Sequence, residues 1–171
     1  HRIGTPGAAT CAAASPPQAE CCVPAPQVLE FDSAGKYIQG WNLEGSGFEP
    51  LQQVHGIFVD HRDQVWISSE RQGDNHILKF DRSGKFVLQI GRSGQSRGSN
   101  DTANLGSPAD INVDVAAREV YVADGYRNRR VIVFDSETGA YKRHWGAYGE
   151  RPSDDATPAY DPAAPPSLDP Q

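Results

Sequence analysis

One short segment occurs three times in this chain, and its repetition limits the folds that the chain can adopt. Each copy has an apolar run, then Phe-Asp, a polar turn that contains glycine, and an aromatic residue; the copies are residues 28–37, 77–86 and 131–141. Their aspartates lie roughly 50 residues apart, and strand-like units that repeat with a period of about 20 to 50 residues indicate a β-propeller or a related array.

The repeats predict how the chain is divided. The predicted segments are an Ala/Pro/Cys-rich loop (1–27), the second half of a blade with its linker (28–53), a full blade (54–91), a linker (92–107), a second full blade (108–146) and a Pro-rich inter-blade insertion or tail (147–171). Propellers close with about four to eight four-stranded blades. We therefore predict an all-β, partial β-propeller, an internal fragment whose partners are the missing blades of the same protein.

The repeated hairpins have a common physical basis. Asp32, Asp81 and Asp135 can accept hydrogen bonds from the turn backbone, and Gly35, Gly84 and Gly139 can adopt a positive φ without steric cost. Two sets of residues recur at a fixed phase and are predicted to pack between adjacent sheets: Phe31, Phe80 and Phe134, and Trp41, Ile90 and Trp145.

The charge and hydropathy exclude two classes of partner. A net charge of −6 disfavours a nucleic-acid-binding or anionic-membrane surface, because such a surface needs a basic patch. No apolar run approaches the length of a membrane span. We therefore expect neither nucleic acid nor a membrane as a partner.

All three cysteines lie in the first loop. Cys11 can pair with either Cys21 or Cys22, and an odd number leaves one thiol over. A loop-stapling disulfide is favoured over a metal site, because the usual C-x-x-C spacing is absent.

The second full unit carries a more specific pattern. It runs from Asp124 through Asn128 and Arg130 into an apolar strand and a hairpin, and it ends with Trp145-Gly146. This order resembles the NHL repeat, and the resemblance covers roughly residues 28–146. NHL repeats build six-bladed propellers, so the resemblance implies that this chain is about half of one.

Four further motifs narrow the resemblance. They are Val54-His55-Gly56-Ile57, Ile90-Gly91-Arg92-Ser93, Ser107-Pro108-Ala109-Asp110 and Asp124-Gly125-Tyr126. This series is similar to the peptidyl-α-hydroxyglycine α-amidating lyase family (peptidylamidoglycolate lyases). The resemblance implies an enzyme that cleaves a carbinolamide into a peptide amide and glyoxylate, with zinc held by three histidines, a structural calcium ion, a tyrosine and arginines.

The resemblance also assigns candidate site residues. His55 matches a zinc histidine, the carbonyl of Ile57 matches a calcium ligand, and Tyr126 matches the catalytic tyrosine. Arg2 matches a substrate-binding arginine. The remaining ligands would lie in later blades, beyond Gln171.

The chain departs from the family at one pair of positions. The resemblance implies a disulfide between the residue after the tyrosine and a residue just before the Pro-x-Asp segment. Here these positions are Arg127 and Gly106. We therefore expect the loop that carries Tyr126 to be tethered in a different way.

Each candidate residue also has a structural interpretation. His55 can be a hydrogen-bonded histidine in a turn between blades, and Tyr126 can be an exposed loop residue. Arg127, Arg129 and Arg130 can hold a substrate carboxylate, although Arg130 is better explained as the structural arginine of the repeat.

Two function hypotheses therefore stay open. One is a metal-dependent lyase that acts on a peptide-like small substrate, and the other is a non-catalytic propeller that binds a protein, peptide or other ligand on its loop face. The clustered cysteines and the resemblance to secreted propellers favour a secreted or periplasmic protein.

Overall fold

The computed structural model describes residues 25–155. Within this range it contains one 3₁₀ turn, Ala147–Gly149, no α-helix, and no helix long and apolar enough to span a membrane. The ten strands are β1 Val28–Phe31, β2 Tyr37–Trp41, β3 Ile57–Val59, β4 Val65–Ile67, β5 His76–Phe80, β6 Phe86–Gly91, β7 Asp110–Asp114, β8 Glu119–Asp124, β9 Arg130–Asp135 and β10 Tyr141–Trp145.

The strands form three antiparallel sheets, and each strand pairs with its neighbour in the chain. β1 and β2 form a two-stranded sheet, β3–β6 form a second sheet, and β7–β10 form a third. The first strands of the two larger sheets, β3 and β7, lie close to each other. The all-β prediction is confirmed, and the arrangement is consistent with a β-propeller-like fold.

The three predicted hairpin turns are closed by their aspartates. The Asp32 carboxylate accepts hydrogen bonds from the backbone N–H groups of the second and fourth residues after it, at 2.9 and 2.8 Å, and Asp81 does the same at 2.9 and 3.0 Å. At Asp135 the donors are the N–H groups of Glu137 and Thr138, at 3.0 and 2.9 Å. These bonds, with that from Thr138 foremost, lower the pKa of Asp135 to about 2. The predicted glycines all have a positive φ, from 73° to 87°.

The core consists of two apolar layers, one on each face of the second sheet. Nine buried residues fill the layer between the second and third sheets: Trp66, Ile77, Ile90, Leu105, Ile111, Val120, Val122, Ile132 and Phe134. Eight fill the other layer, beside the first sheet: Val28, Leu43, Leu51, Val54, Val65, Ile67, Leu78 and Phe80. Alternate residues of β4 therefore point to opposite layers, as a strand covered on both faces requires.

The prediction that the recurring aromatic residues are core residues is correct for only some of them. Phe80, Phe134 and Ile90 are buried, but Phe31 is 51% exposed and contacts the ring of Tyr37. Trp145 is only partly buried, whereas Trp41 packs between the first and second sheets against the ring of Phe80, as predicted. The repeat fixes where a side chain points, but burial also requires a neighbouring sheet. The described residues provide no further sheet beyond the first sheet or beyond the third.

A buried ion pair fastens the linker before β7 to the third sheet. The guanidinium of Arg130 donates to the Asp124 carboxylate at 2.9 Å, and neither side chain is exposed to solvent. Arg130 also donates to the backbone carbonyls of three linker residues, Ser99, Asp101 and Asn104. These contacts give Arg130 a structural role in the third sheet.

The segment after β10 packs on the same linker. Pro152 is buried, and its carbonyl accepts a hydrogen bond from the Asn100 side chain at 2.9 Å. The Asp154 carboxylate accepts from the backbone N–H of Ser99 at 2.9 Å. The segment is therefore attached to the linker through Pro152 and Asp154, while its other residues from 147 to 155 are exposed.

Replacement of Asp124 by alanine is expected to be strongly destabilising. The substitution leaves the Arg130 charge buried without its partner, which costs about 3–5 kcal/mol. The matched control is Arg62→Ala, which removes an ion pair to Glu137 in which the arginine side chain is 51% exposed. The control should cost less than about 1 kcal/mol. Denaturant unfolding of the intact protein measures both, and equal losses would contradict this account.

Candidate functional site

Two of the predicted site residues lie at the same end of the two larger sheets. His55 is two residues before β3, and its N–H donates to the Ser68 carbonyl at 2.9 Å, so it continues the edge of the second sheet. Tyr126 is two residues after β8. In an antiparallel sheet the start of one strand adjoins the end of the next. Both residues therefore lie where β3 of the second sheet and β7 of the third sheet approach each other.

The backbone of Ala109 orients the imidazole of His55. The Nδ1 atom lies 3.2 Å from the Ala109 carbonyl oxygen, and the same oxygen accepts a bond from the Ser68 hydroxyl at 3.4 Å. A carbonyl only accepts hydrogen bonds, so this contact assigns the proton to Nδ1. The lone pair of His55 is therefore on Nε2, the atom that faces away from Ala109.

Gly56 makes this approach possible. A Cβ at this position would lie 2.4 Å from the Ser68 hydroxyl oxygen and 2.8 Å from the Ala109 carbonyl oxygen. The glycine is required here by close contact between two backbones, because no positive φ is involved. Its place directly after His55 is thus a packing requirement of the site.

Tyr126 contacts His55 directly. The phenol oxygen lies 3.3 Å from His55 Nε2, and the two rings meet edge to face with centroids 5.6 Å apart. With the proton of His55 on Nδ1, the tyrosine hydroxyl is the donor in this contact. Tyr126 is 53% exposed, so the pair opens to solvent.

The loop that carries Tyr126 is tethered through its backbone. The N–H of Arg127 donates to the Gly106 carbonyl at 2.9 Å, which joins the two positions at which the resemblance implies a disulfide. A Cβ on Gly106 would lie 2.4 Å from the Asn128 side chain, so a larger residue does not fit without rearrangement. Asp124 closes the loop by accepting from the side chain of Asn128 at 2.7 Å.

Ile57 offers a carbonyl on the same edge. Ser68 N–H donates to the Gly56 carbonyl, and Asp60 N–H donates to the Gln64 carbonyl, each at 3.0 Å. Bonded and non-bonded positions alternate along an antiparallel strand. The Ile57 carbonyl therefore faces away from β4 and toward the free edge of the sheet, near β7.

Residues 25–155 contain no group of three or more histidine, cysteine or acidic side chains arranged to hold a metal ion. His55 Nε2 has the lone pair that a metal requires, so this residue fits one ligand position of the expected zinc site and no more. Arg2, and the cysteines Cys11, Cys21 and Cys22, lie outside the described residues.

The sequence did not reveal two parts of the site. The orienting group at Ala109 is a backbone carbonyl, which leaves no trace in residue identity. Ser68 is an ordinary strand-end serine whose contact depends on a neighbouring sheet. The only available signal was Gly56, because a glycine beside a strand suggests a close backbone approach.

Comparison with known proteins gives matches to amidating enzymes. No protein-family model matches the chain. The chain is 29% identical over 106 residues to the peptidylglycine alpha-amidating monooxygenase of Rattus norvegicus, covering 61% of this chain and 10% of the relative. It is 29% identical over 84 residues to a probable peptidyl-alpha-hydroxyglycine alpha-amidating lyase of Caenorhabditis elegans, covering 48% of this chain and 23% of the relative. The chain therefore spans a quarter or less of the length of these relatives. The matches show a resemblance to the family of amidating enzymes.

Two glycine substitutions test the geometry of the site. Gly56→Ala should destabilise the protein by about 1–3 kcal/mol, because the new methyl group overpacks the contact with Ala109. Gly125→Ala is the matched control, since its Cβ meets nothing within 4 Å, and it should change stability by no more than about 0.5 kcal/mol. Thermal unfolding measures stability, and the NMR signals of the His55 ring report its orientation. An unchanged His55 environment in Gly56→Ala would contradict the proposed packing.

Proposed function

We propose that this chain is part of a six-bladed NHL-type propeller that acts as a metal-dependent lyase on peptidyl-α-hydroxyglycine-like carbinolamides. The observation that carries the proposal is the contact between His55 Nε2 and the Tyr126 hydroxyl. The family resemblance assigns separate roles to these two residues, and they lie 71 residues apart in the chain. Their meeting at one open site supports a shared chemical role.

The names of the matched relatives support the same class of reaction. Both are amidating enzymes by name, and one is a probable lyase that acts on peptidyl-alpha-hydroxyglycine. Their match covers at most 61% of this chain. The activity, the peptide-like substrate and the secreted or periplasmic location therefore remain proposals for this protein.

The proposed reaction needs no co-reactant. The substrate hydroxyl loses its proton, and its oxygen forms the carbonyl of glyoxylate. The carbon–nitrogen bond breaks with its electron pair on nitrogen, which takes up a proton to give the peptide amide. Tyr126, as its phenolate, would take the hydroxyl proton and return it to the departing nitrogen. Arg2, beyond the described residues, remains the proposed contact for the substrate.

His55 would hold zinc through Nε2, in place of the hydrogen bond that this atom accepts from Tyr126 here, and Ile57 would hold calcium through its carbonyl. Zinc, when bound, polarises a substrate oxygen and favours its deprotonation. The Nδ1–H contact with Ala109 fixes the tautomer that this ligand role requires. The other ligands would come from further blades of the same protein.

The alternative function is a non-catalytic propeller that binds a protein or peptide on its loop face. The exposure of Tyr126 favours it, because exposed aromatic side chains often anchor binding partners. Binding without turnover is the outcome that would separate this function from the lyase.

Glyoxylate release from a peptidyl-α-hydroxyglycine tests the lyase function in the intact protein. Tyr126→Phe should lower kcat by about 100-fold or more, because it removes the group that moves the proton. Tyr148→Phe is the control, since that ring is 86% exposed in the 3₁₀ turn, and it should leave kcat unchanged. Absence of glyoxylate release by the parent protein under all metal conditions would refute the lyase proposal.

Metal content provides a test that does not depend on activity. His55→Ala should weaken zinc binding by the intact protein by more than about tenfold, because it removes one ligand. His61→Ala is the matched control, since His61 is an exposed residue in the turn between β3 and β4. Elemental analysis after dialysis against buffered zinc gives the stoichiometry. Equal zinc content in the parent and the His55→Ala variant would exclude His55 as a ligand.

A further inference from the structure

A second tyrosine and histidine in hydrogen-bond contact lie on β10, the last strand of the third sheet. The Tyr141 phenol oxygen lies 2.8 Å from His144 Nδ1, which is shorter than the 3.3 Å between Tyr126 and His55 Nε2. The two rings are tilted by 54°, with centroids 5.7 Å apart. β10 and β7 form opposite edges of the third sheet, so the width of this sheet separates the new pair from the site beside β7.

A β-bulge brings the two side chains of the new pair to the same face of β10. They are three residues apart, and in a regular strand side chains with an odd separation point to opposite faces. The pairing of β10 with β9 shifts between Tyr141 and Arg143, so Lys142 is the extra residue of a bulge. Bulges re-aim neighbouring side chains and are frequent next to active sites. The contact between Tyr141 and His144 follows from this irregularity.

Asn100 determines which nitrogen of His144 carries the proton. The Asn100 amide nitrogen donates to the Pro152 carbonyl at 2.9 Å, and the amide oxygen accepts from Arg151 Nε at 3.0 Å, so both contacts fix the orientation of the amide. The same oxygen lies 3.4 Å from His144 Nε2 and, as an acceptor, requires the proton on that nitrogen. The lone pair of the neutral imidazole is then on Nδ1, where it accepts from the Tyr141 hydroxyl.

The surroundings of His144 favour the neutral imidazole. Its burial, followed by the nearby charges of Arg130 and Arg151, lowers the pKa of His144. The neutral form is the one that can take a proton from a phenol. The phenol is also accessible, because Tyr141 is 40% exposed and its ring meets that of Phe134 edge to face. The pair therefore combines a base with an open hydroxyl group.

We propose that Tyr141, His144 and Asn100 form a second reactive site, in which the histidine activates the tyrosine hydroxyl as a nucleophile toward activated carboxylic esters. The site has the order of groups that nucleophilic catalysis requires. The nucleophile contacts a base, and the base is oriented by a third group. Asn100 is the positioning residue, because it acts only through His144. The site goes beyond the proposed lyase function and does not depend on it.

The reaction transfers an acyl group to the phenol and involves no redox step. As the phenol oxygen bonds to the acyl carbon, its proton passes to His144 Nδ1. The bond from that carbon to the leaving group then breaks with its electron pair on the leaving group, which takes the proton from the imidazole. The product is an O-acyl tyrosine. Addition of water to this product releases the carboxylic acid and restores the phenol.

Limited labelling of the intact protein with p-nitrophenyl acetate tests the site. Mass spectrometry of tryptic peptides reports each tyrosine separately, because Tyr141 lies in residues 131–142 and Tyr148 in residues 144–151. Removal of the acetyl group by hydroxylamine distinguishes an acetylated phenol from an acetylated lysine. Tyr141 should be acetylated faster than Tyr148, although the side chain of Tyr148 is 86% exposed.

Two histidine variants separate activation from accessibility. His144→Phe keeps an aromatic ring beside Tyr141 but removes the base, so it should slow acetylation of Tyr141 by about 100-fold and leave that of Tyr148 unchanged. His61→Phe is the matched control, since it replaces an exposed histidine in the turn between β3 and β4, and it should leave both rates unchanged.

Two results would overturn the proposal. One is labelling of Tyr148 in the parent protein that is as fast as that of Tyr141 or faster. The other is an unchanged rate of Tyr141 acetylation in His144→Phe. The comparison of the two tyrosines within the parent needs no variant, so the test remains decisive if His144→Phe does not fold.

Discussion

The buried pair of Arg130 and Asp124 is the interaction on which the site depends. Arg130 binds three carbonyls of the linker before β7, so it sets the path of the chain toward Ala109. Asp124 uses its other oxygen to accept from the Gly106 N–H at 2.7 Å, and it also holds Asn128. One ion pair therefore positions both the carbonyl that orients His55 and the loop that presents Tyr126.

The linker before β3 is held to the second sheet by different residues. His76, which begins β5 as Arg130 begins β9, is buried, and its Nε2 lies 2.8 Å from the Glu49 carbonyl oxygen. Asp74 accepts from the backbone of Gln52 at 2.9 Å and from the Ser69 hydroxyl at 2.6 Å. In both sheets a polar side chain at the start of the third strand satisfies linker carbonyls. The imidazole makes one such bond where the guanidinium makes three.

Interactions within a single turn could be predicted from the sequence, whereas contacts between different sheets could not. The hairpins were predictable because Asp81 and Gly84 act within a single turn and recur in every unit. The burial of Phe31 was predicted wrongly, because it depends on a sheet that the described residues do not provide. Resemblance identified His55 and Tyr126 but not their contact, which is made across two sheets. The Ala109 carbonyl was beyond prediction, since any residue supplies the same group.

The backbone bond between Arg127 and Gly106 has a consequence for the environment in which the loop keeps its shape. A disulfide at these positions would open under reducing conditions, and its integrity would follow the redox potential of the compartment. A hydrogen bond between peptide groups has no such dependence. This tether of the tyrosine loop is therefore not opened by thiol reductants.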